Sequence, residues 1–200
     1  MKPLTLASVA ESPESVTTVF SLCTGEEITF RPLVPQDEEE LAVFFASLSK
    51  QTRYFFGHSG NDRDTARGMC EAIDRYYKLQ MVALADGRVV ALFQFSVTFP
   101  ECDIERFRSY EISLEDTDIR FGSCIADAYQ NMGLGSKLFL HMADIARRFG
   151  KKRMILWGGV LVDNPRAIHY YEKHGFRIVG EYLNQTNGAC HDATMDLPVS

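Results

Sequence analysis

The sequence predicts a mixed α/β fold, and three features of the chain carry that prediction. Two apolar stretches, residues 81–85 and 89–98, flank Asp86-Gly87, a dipeptide suited to the positive φ angles of a tight hairpin turn. Farther along, a strand-like segment leads through a glycine-containing turn into a helical stretch with one apolar face. Asn164-Pro165 then begins another helix, because Asn is a favoured N-cap and Pro fits the first helical position.

Length and composition favour one globular domain. The chain has 200 residues, of which 46% are hydrophobic and 24% are charged, an ordinary balance for a folded protein. We expect residues 1–15 to form a flexible tail and residues 16–200 to form a single domain. The cysteines are odd in number and never spaced as Cys-x-x-Cys, which argues against a disulfide framework and a zinc site and favours a reducing compartment. They are Cys23, Cys70, Cys102, Cys124 and Cys190.

Charge and hydropathy disfavour two further classes of protein. With 27 acidic against 21 basic residues, the formal net charge of -6 disfavours nucleic acid as a partner and mildly favours cationic substrates. No apolar run reaches the roughly 18 residues of a membrane span, and the N-terminus lacks the apolar stretch of a signal peptide. We therefore expect a cytoplasmic protein without membrane contact.

The N-terminal half is predicted to contain two hairpins and two helices. Residues 16–22 and 28–33 form the first hairpin, and the Asp86-Gly87 hairpin is the second. Between them, an acidic turn at 37–40 followed by apolar residues at helical spacing predicts the first helix, and the spacing over 64–77 predicts the second. The polar segment that follows, 100–113, is ambiguous.

The C-terminal half has a clearer pattern of strands and helices. In order, it predicts a strand at 118–126, a helix at 136–150, a strand at 154–162, a helix at 164–175, and a closing hairpin of 176–183 and 189–197 around a turn at 184–188. Gly122 indicates a bulge or a close backbone approach in the first strand. The apolar run at 154–162 is typical of a central strand covered on both faces.

The turn at residues 130–135 predicts an anion site. A glycine turn at the start of a helix leaves backbone N–H groups free at the positive end of the helix dipole, and glycines let a ligand approach without meeting a Cβ. Two other phosphate motifs fail, since Ser136-Lys137 stands in the wrong order for a P-loop and Leu138 replaces the last glycine of a dinucleotide fingerprint. An ordinary turn without a ligand remains an alternative for this motif taken alone.

Two motifs together resemble a known family. The first is Gln-x-x-Gly-x-Gly at the end of a strand, Gln130 to Gly135. The second is the helix Asn164-Pro165-Arg166-Ala167-Ile168-His169-Tyr170-Tyr171-Glu172-Lys173-His174-Gly175-Phe176, which is similar to Asn-x-x-Ala-x-x-x-Tyr-x-Lys-x-Gly-Phe. Both resemble the GNAT superfamily of N-acetyltransferases, and the likeness extends over residues 28–197. It implies a central mixed, mostly antiparallel sheet of about seven strands, flanked by helices and splayed at the cofactor site.

The resemblance also implies which residues bind acetyl-CoA, the expected co-substrate. The amides of residues 131–136 would bind the pyrophosphate, while Gln130 would brace the loop. Backbone groups of Ile125 and Asp127 would meet the pantetheine and thioester, and Asn164 would contact the pantetheine arm. The implied cofactor-binding residues are Ile125, Asp127, Gln130, Asn131, Met132, Gly133, Leu134, Gly135, Ser136 and Asn164.

Catalysis of acetyl transfer requires an acid and a base, and the sequence predicts the acid more clearly. Tyr171 matches the family's usual general acid, with a core aromatic as the alternative. The family often has a glutamate on the strand before the glycine turn, and residues 119–124 contain no carboxylate. Asp118 is the candidate base, with Asp116 as its neighbour on the same strand face. Cys124 is interpreted as packing rather than as a nucleophile.

The remaining polar features have structural interpretations. His169 and His174 are five residues apart, which does not match metal-ligand spacing on a helix, so no metal is expected. The basic cluster at 147–153 follows a helix C-terminus, where cations offset the helix dipole.

The acceptor is left open between a small primary amine and a protein lysine. The opening of the chain, residues 30–56, looks like that of bacterial GNAT domains related to protein lysine acetyltransferases. A homodimer is also left open. The competing hypothesis is a non-catalytic acyl-CoA-binding sensor, because the usual strand carboxylate is missing.

Overall fold

The computed structural model describes residues 3–58, 60–75, 77–184 and 188–198. The helices are α1 (Leu6–Glu11), α2 (Glu38–Ser47), α3 (Lys50–Phe56), α4 (Asp62–Glu71), α5 (Glu101–Ser109), α6 (Leu134–Arg148) and α7 (Pro165–Lys173). The strands are β1 (Thr18–Ser21), β2 (Glu27–Pro32), β3 (Lys78–Ala85), β4 (Arg88–Ser96), β5 (Asp118–Ile125), β6 (Arg153–Leu156), β7 (Val160–Leu161), β8 (Arg177–Asn184) and β9 (Gly188–Asp196).

The strands form one mixed sheet in which every pairing but one is antiparallel. The order is β1-β2-β3-β4-β5-β6-β9-β7, and β8 pairs with β9. Among the described strands, only β5 and β6 run parallel. Helix α6 connects them and returns the chain to the end of the sheet at which β5 begins. The mixed, mostly antiparallel architecture is confirmed, with nine strands described instead of about seven.

The parallel pair separates at the end that faces the glycine turn. β5 and β6 pair from Asp118↔Arg153 to Phe121↔Leu156, and the Trp157 amide donates to the Phe121 carbonyl at 2.7 Å. β5 then continues to Ile125 with no further partner in β6. This opening corresponds to the expected splay.

A single strand over 154–162 was predicted, and the structure breaks it in two. Gly158 and Gly159 have φ angles of +74° and +69°, which no strand residue adopts. A Cβ on Gly159 would lie 2.7 Å from the His191 carbonyl oxygen, so glycine is required there. Gly122 forms no bulge, since it pairs in register with Gln94.

Helices cover both faces of the sheet. One core includes Phe30, Phe93 and Phe121 of the sheet with Phe139 of α6. The other packs α2 and α4 against Val82 and Leu92. The ambiguous segment 100–113 contains α5, whose Arg106 pairs with the buried Asp192 of β9 at 2.7 Å. In the described ranges, no helix is long and apolar enough to cross a membrane.

Several predicted boundaries are corrected. The predicted tail contains α1, with Val9 2% exposed, and the Leu4 amide donates to the Arg148 carbonyl at 2.8 Å; residues 1 and 2 lie outside the described part. The second helix spans Asp62–Glu71 instead of 64–77, and residue 76 is outside the description. α3 was not predicted. The closing hairpin is confirmed, although residues 185–187 of its turn are not described.

Candidate functional site

A cavity of about 480 Å³ lies where β5 separates from its parallel neighbour. Parts of α3, the end of β5, the glycine turn, the β6–β7 connection and α7 form its walls. Of the residues proposed from the sequence, the cavity is lined by Ile125, Gln130, Asn131, Gly133, Gly135, Ser136, Asn164 and Tyr171. Asp118, Asp127, Met132 and Leu134 are not among its lining residues.

The glycine turn places the N-terminus of α6 at this cavity. Gly133 is the N-cap of α6 with φ +79°, and Asn131 also has a positive φ of +62°. The amides of the first helical turn have no carbonyl partner inside the helix, so they are available to an anion. A Cβ on Gly133 would meet nothing within 4 Å, so this glycine is required by its backbone conformation.

Gly135 is constrained by close packing instead. A Cβ there would lie 2.8 Å from Ile125 Cδ1 and 3.3 Å from Tyr170 Cε2. The Tyr170 hydroxyl also donates to the Gly135 carbonyl at 3.0 Å. Gly135 therefore allows β5, α6 and α7 to meet, whereas from the sequence both glycines were expected to permit unusual backbone angles and the approach of a ligand.

Gln130 connects the turn to the end of β5. Its Nε2 donates to the Ile125 carbonyl at 2.9 Å and to Thr52 Oγ1 at 3.4 Å. One lone pair of the Ile125 carbonyl is thus used within the protein. The binding of a cofactor by Ile125 and Gln130 stays a prediction.

The other turn residues divide between packing and hydrogen bonding. Leu134 is fully buried in the core, and Met132 packs partly buried against it. Ser136 Oγ lies 3.0 Å from His174 Nε2, which joins the start of α6 to the end of α7. Burial lowers the pKa of His174, with a smaller contribution from the charge of Lys173.

Asn164 begins α7 as the sequence predicted. Its Oδ1 accepts a hydrogen bond from the Ala167 amide at 3.1 Å, and the residue is 6% exposed. A side chain held by its own helix lines the cavity in a fixed orientation.

Tyr171 lies in α7 and lines the cavity. Burial raises the pKa of its phenol, and a hydrogen bond with the Ser123 side chain acts in the opposite direction. The phenol is consequently protonated at neutral pH, as a proton donor must be. Burial also raises the pKa of the neighbouring Cys124 thiol to about 12, helped by the charge of Asp127, so this thiol is a poor nucleophile.

Asp118 lies far from this group, which is at odds with the predicted role as base. Its Oδ2 and Oδ1 are 2.6 Å and 2.9 Å from the Arg153 guanidinium, and Oδ2 also accepts from the Glu115 amide at 2.8 Å. At about 3.3 Å per residue, the strand carries Asp118 roughly 23 Å from Ile125. Its carboxylate is 3% exposed and stabilises the start of the parallel pair.

Asp127 uses its side chain in a way the sequence did not predict. The carboxylate accepts hydrogen bonds from the amide and hydroxyl of Ser49 and from the hydroxyl of Thr52. Burial acts to raise the pKa of Asp127, but these hydrogen bonds outweigh it and the pKa is lowered. Ser49 is the N-cap of α3, a local signal that could have located this helix. Its partnership with Asp127 has no local signal.

The basic cluster has structural partners. Lys151 Nζ donates to the Asp116 carbonyl at 2.6 Å, Arg153 pairs with Asp118, and Arg148 donates to the Ser15 carbonyl at 2.9 Å. Within the ranges described, no group of three or more histidine, cysteine or acidic side chains could hold a metal ion.

Comparison with known proteins gives a consistent result. The family model described as acetyltransferase (GNAT) family matches residues 26–176. Acetyltransferase PA5475 from Pseudomonas aeruginosa is 31% identical over 137 residues, which cover 68% of each protein.

Two solved structures share the fold. The GNAT domain of PAT from S. lividans has a TM-score of 0.69 at 19% identity and covers 92% of this chain and 99% of that chain. YncA from Salmonella typhimurium, solved with its cofactor acetyl-CoA, has a TM-score of 0.64 at 19% identity, with coverages of 86% and 95%.

Proposed function

Because the chain belongs to the acetyltransferase (GNAT) family, we propose that it is an N-acetyltransferase that moves an acetyl group from acetyl-CoA to a primary amine. The observation that carries the proposal is the shared cavity, which joins the start of α6, the end of β5, Asn164 and Tyr171. Backbone amides at the start of α6, a polar helix cap and a buried phenol in one cavity would suit a long thioester cofactor and its reacting end.

The proposed cofactor site is mostly backbone. The amides of residues 131–136 would hold the pyrophosphate at the positive end of α6. Backbone groups of Ile125 and Asp127, together with Asn164, would hold the pantetheine arm. YncA, a relative in fold, was solved with acetyl-CoA, which supports this choice of co-substrate.

In the proposed reaction the amine attacks the thioester directly. A bond forms between the amine nitrogen and the acyl carbon, and the carbon–sulfur bond breaks. Tyr171 gives its proton to the departing sulfur, and the proton lost by the amine passes to solvent. The acceptor is a small amine or a protein lysine, and we place the reaction in the cytoplasm.

One observation favours a second candidate, an acyl-CoA-binding sensor without catalysis. Among the residues that the structure describes, those lining the cavity include no aspartate or glutamate, and the proposed base Asp118 is held by Arg153. A binding module needs the cofactor site alone, so the same turn would serve it.

Thiol release separates the two candidates. The protein is incubated with acetyl-CoA and a panel of amines and lysine peptides, and free thiol is followed with a colour reagent. Release that depends on an acceptor supports the enzyme. Tight acetyl-CoA binding by calorimetry without release supports the sensor, and no binding of any acyl-CoA overturns both.

A further inference from the structure

Asp127, directly after β5, holds the N-terminus of α3, which lies 78 residues earlier in the chain at Ser49. Its Oδ2 accepts from the Ser49 amide at 2.8 Å. Its Oδ1 accepts from the Ser49 hydroxyl at 2.7 Å and from the Thr52 hydroxyl at 2.7 Å. Hydrogen bonds to an ionised carboxylate are about twice as strong as neutral ones.

The same contacts continue into the cavity through Thr52. Thr52 is 7% exposed, and its Oγ1 also accepts from Gln130 Nε2 at 3.4 Å. Gln130 in turn donates to the Ile125 carbonyl. Thr52, Gln130 and Ile125 all line the cavity, so one chain of hydrogen bonds links α3 with the proposed cofactor turn.

Helix α3 supplies a wall of the cavity beyond Thr52. Phe55 and Phe56 lie one turn farther along the helix and also line the cavity. Their distance from β5 depends on where α3 is held, because a seven-residue helix is too short to be stable by itself.

We infer that Thr52 and Asp127 are positioning residues, which fix α3 and its two phenylalanines against the proposed acyl-CoA site. This inference rests on the proposed function for the identity of the ligand. The two residues act through the placement of a wall and transfer no proton. Their loss changes acyl-CoA affinity, while the chemical step at Tyr171 keeps its rate.

The sharpest test uses Thr52, because it is buried and has a matched pair of variants. Thr52→Val keeps the shape and removes the hydroxyl, whereas Thr52→Ser keeps the hydroxyl. We expect Thr52→Val to raise the KM and Kd for acetyl-CoA about three- to tenfold with kcat within about twofold, and Thr52→Ser to restore both constants. Asp127→Asn should reproduce the Thr52→Val effect, reduced by the solvent exposure of Asp127.

Two further measurements distinguish positioning from a general loss of stability. In Asp127→Asn, amide hydrogen exchange of α3 should rise while that of β3 and β4 stays unchanged. The double variant Thr52→Val/Asp127→Asn should be no worse than the single variants, because both break the same link. Asp144→Asn, on the exposed face of α6, is the matched control and should leave every constant unchanged.

The inference is overturned if both variants fold and bind acetyl-CoA with wild-type affinity, or if α3 exchange is unaltered. It is also overturned if Thr52→Ser is as impaired as Thr52→Val. Failure of the proposed function looks different: the wild-type protein would bind acetyl-CoA without acceptor-dependent thiol release, and the Kd comparison would still test the role of Thr52.

Discussion

The Tyr170 hydroxyl donates a hydrogen bond to the Gly135 carbonyl at 3.0 Å, so α7 is fixed to the first turn of α6. The adjacent residue, Tyr171, carries the proposed proton donor on the same helix. Two neighbouring tyrosines therefore have different contacts: Tyr170 joins the two helices, whereas Tyr171 lines the cavity and is the proton donor that we propose. This division leads to distinct expectations for their variants.

Tyr171→Phe should lower kcat on the order of 100-fold with little change in acetyl-CoA affinity, because it removes the phenol that supplies the proton for the departing thiol. Tyr170→Phe is the control. It should lose about 1 kcal/mol of unfolding free energy, as expected for one hydrogen bond, with a smaller effect on kcat. Steady-state kinetics and urea unfolding measure the two effects, and equal kcat in wild type and Tyr171→Phe would remove Tyr171 from the mechanism.

The pH dependence of kcat gives a second test of Tyr171. An acid catalyst works while protonated, and burial raises the pKa of Tyr171 above its usual value of 10.0. Below about pH 10, the wild-type protein should therefore show no alkaline decline in kcat beyond any decline that Tyr171→Phe also shows. A decline near pH 8 that disappears in the variant would contradict the assignment.

Gly135→Ala should destabilise the protein and weaken acetyl-CoA binding. The new methyl group would lie 2.8 Å from Ile125 Cδ1, and overpacking of this kind costs about 1–3 kcal/mol. Gly68→Ala, in α4 with open space around it, is the matched control and should stabilise by about 0.5–1 kcal/mol. Thermal unfolding and calorimetric titration measure both. Unchanged stability in Gly135→Ala would show that the glycine is not required for packing.

Asp118→Asn should destabilise without a specific loss of activity. The pair with Arg153 joins β5 to β6, and breaking a buried pair costs about 3 kcal/mol. The folded fraction should keep its kcat, since Asp118 is far from Tyr171. Asp116→Asn is the control, because Lys151 donates its hydrogen bond to the Asp116 carbonyl, which the substitution keeps. Loss of kcat in fully folded Asp118→Asn would restore it as the base.

Acid stability should depend on Asp62. A hydrogen bond from Arg53 lowers the pKa of this carboxyl below 3.8, opposed by burial and helped by His58. A depressed pKa stabilises the folded state above the unfolded pKa, and that contribution is lost as pH falls through the folded value. The unfolding free energy should therefore decline below about pH 4, and Asp62→Asn should reduce the slope there. Identical slopes would show that Asp62 does not contribute.

The features that were predicted correctly are those that depend on residues close together in the sequence. Asp86 and Gly87 adopt φ angles of +49° and +75°, as the hairpin required, and Asn164 caps α7. The order of the elements and the mixed sheet followed from such local signals. The break at Gly158-Gly159 could not be predicted from local signals, because the carbonyl of His191, which requires glycine there, comes from a distant part of the chain.

Long-range partners explain which side-chain contacts at the site the sequence did not predict. In the sequence Asp118 is a candidate base, but in the fold β6 brings Arg153, which lies 35 residues later in the chain, into contact with its carboxylate. For Asp127 the sequence predicted a contact through its backbone, and the hydrogen bond of its side chain with Ser49 of α3 could not be predicted because Ser49 lies 78 residues earlier. The glycine turn at the start of α6 was predictable because its signal belongs to one short segment, whereas ion pairs between distant elements depend on the completed fold.

The segment before β1 has a practical consequence for anyone who shortens this protein. Three side chains of α6, Lys137, His141 and Arg148, donate to main-chain carbonyls of Ser21, Val16 and Ser15. Removal of the residues up to Val16 would leave His141 and Arg148 without these acceptors, although Lys137 would keep the Ser21 carbonyl, and it would expose core that Val9 and Val16 now cover. A trimmed protein should thus be prone to aggregation, and affinity tags are better attached at the opposite end.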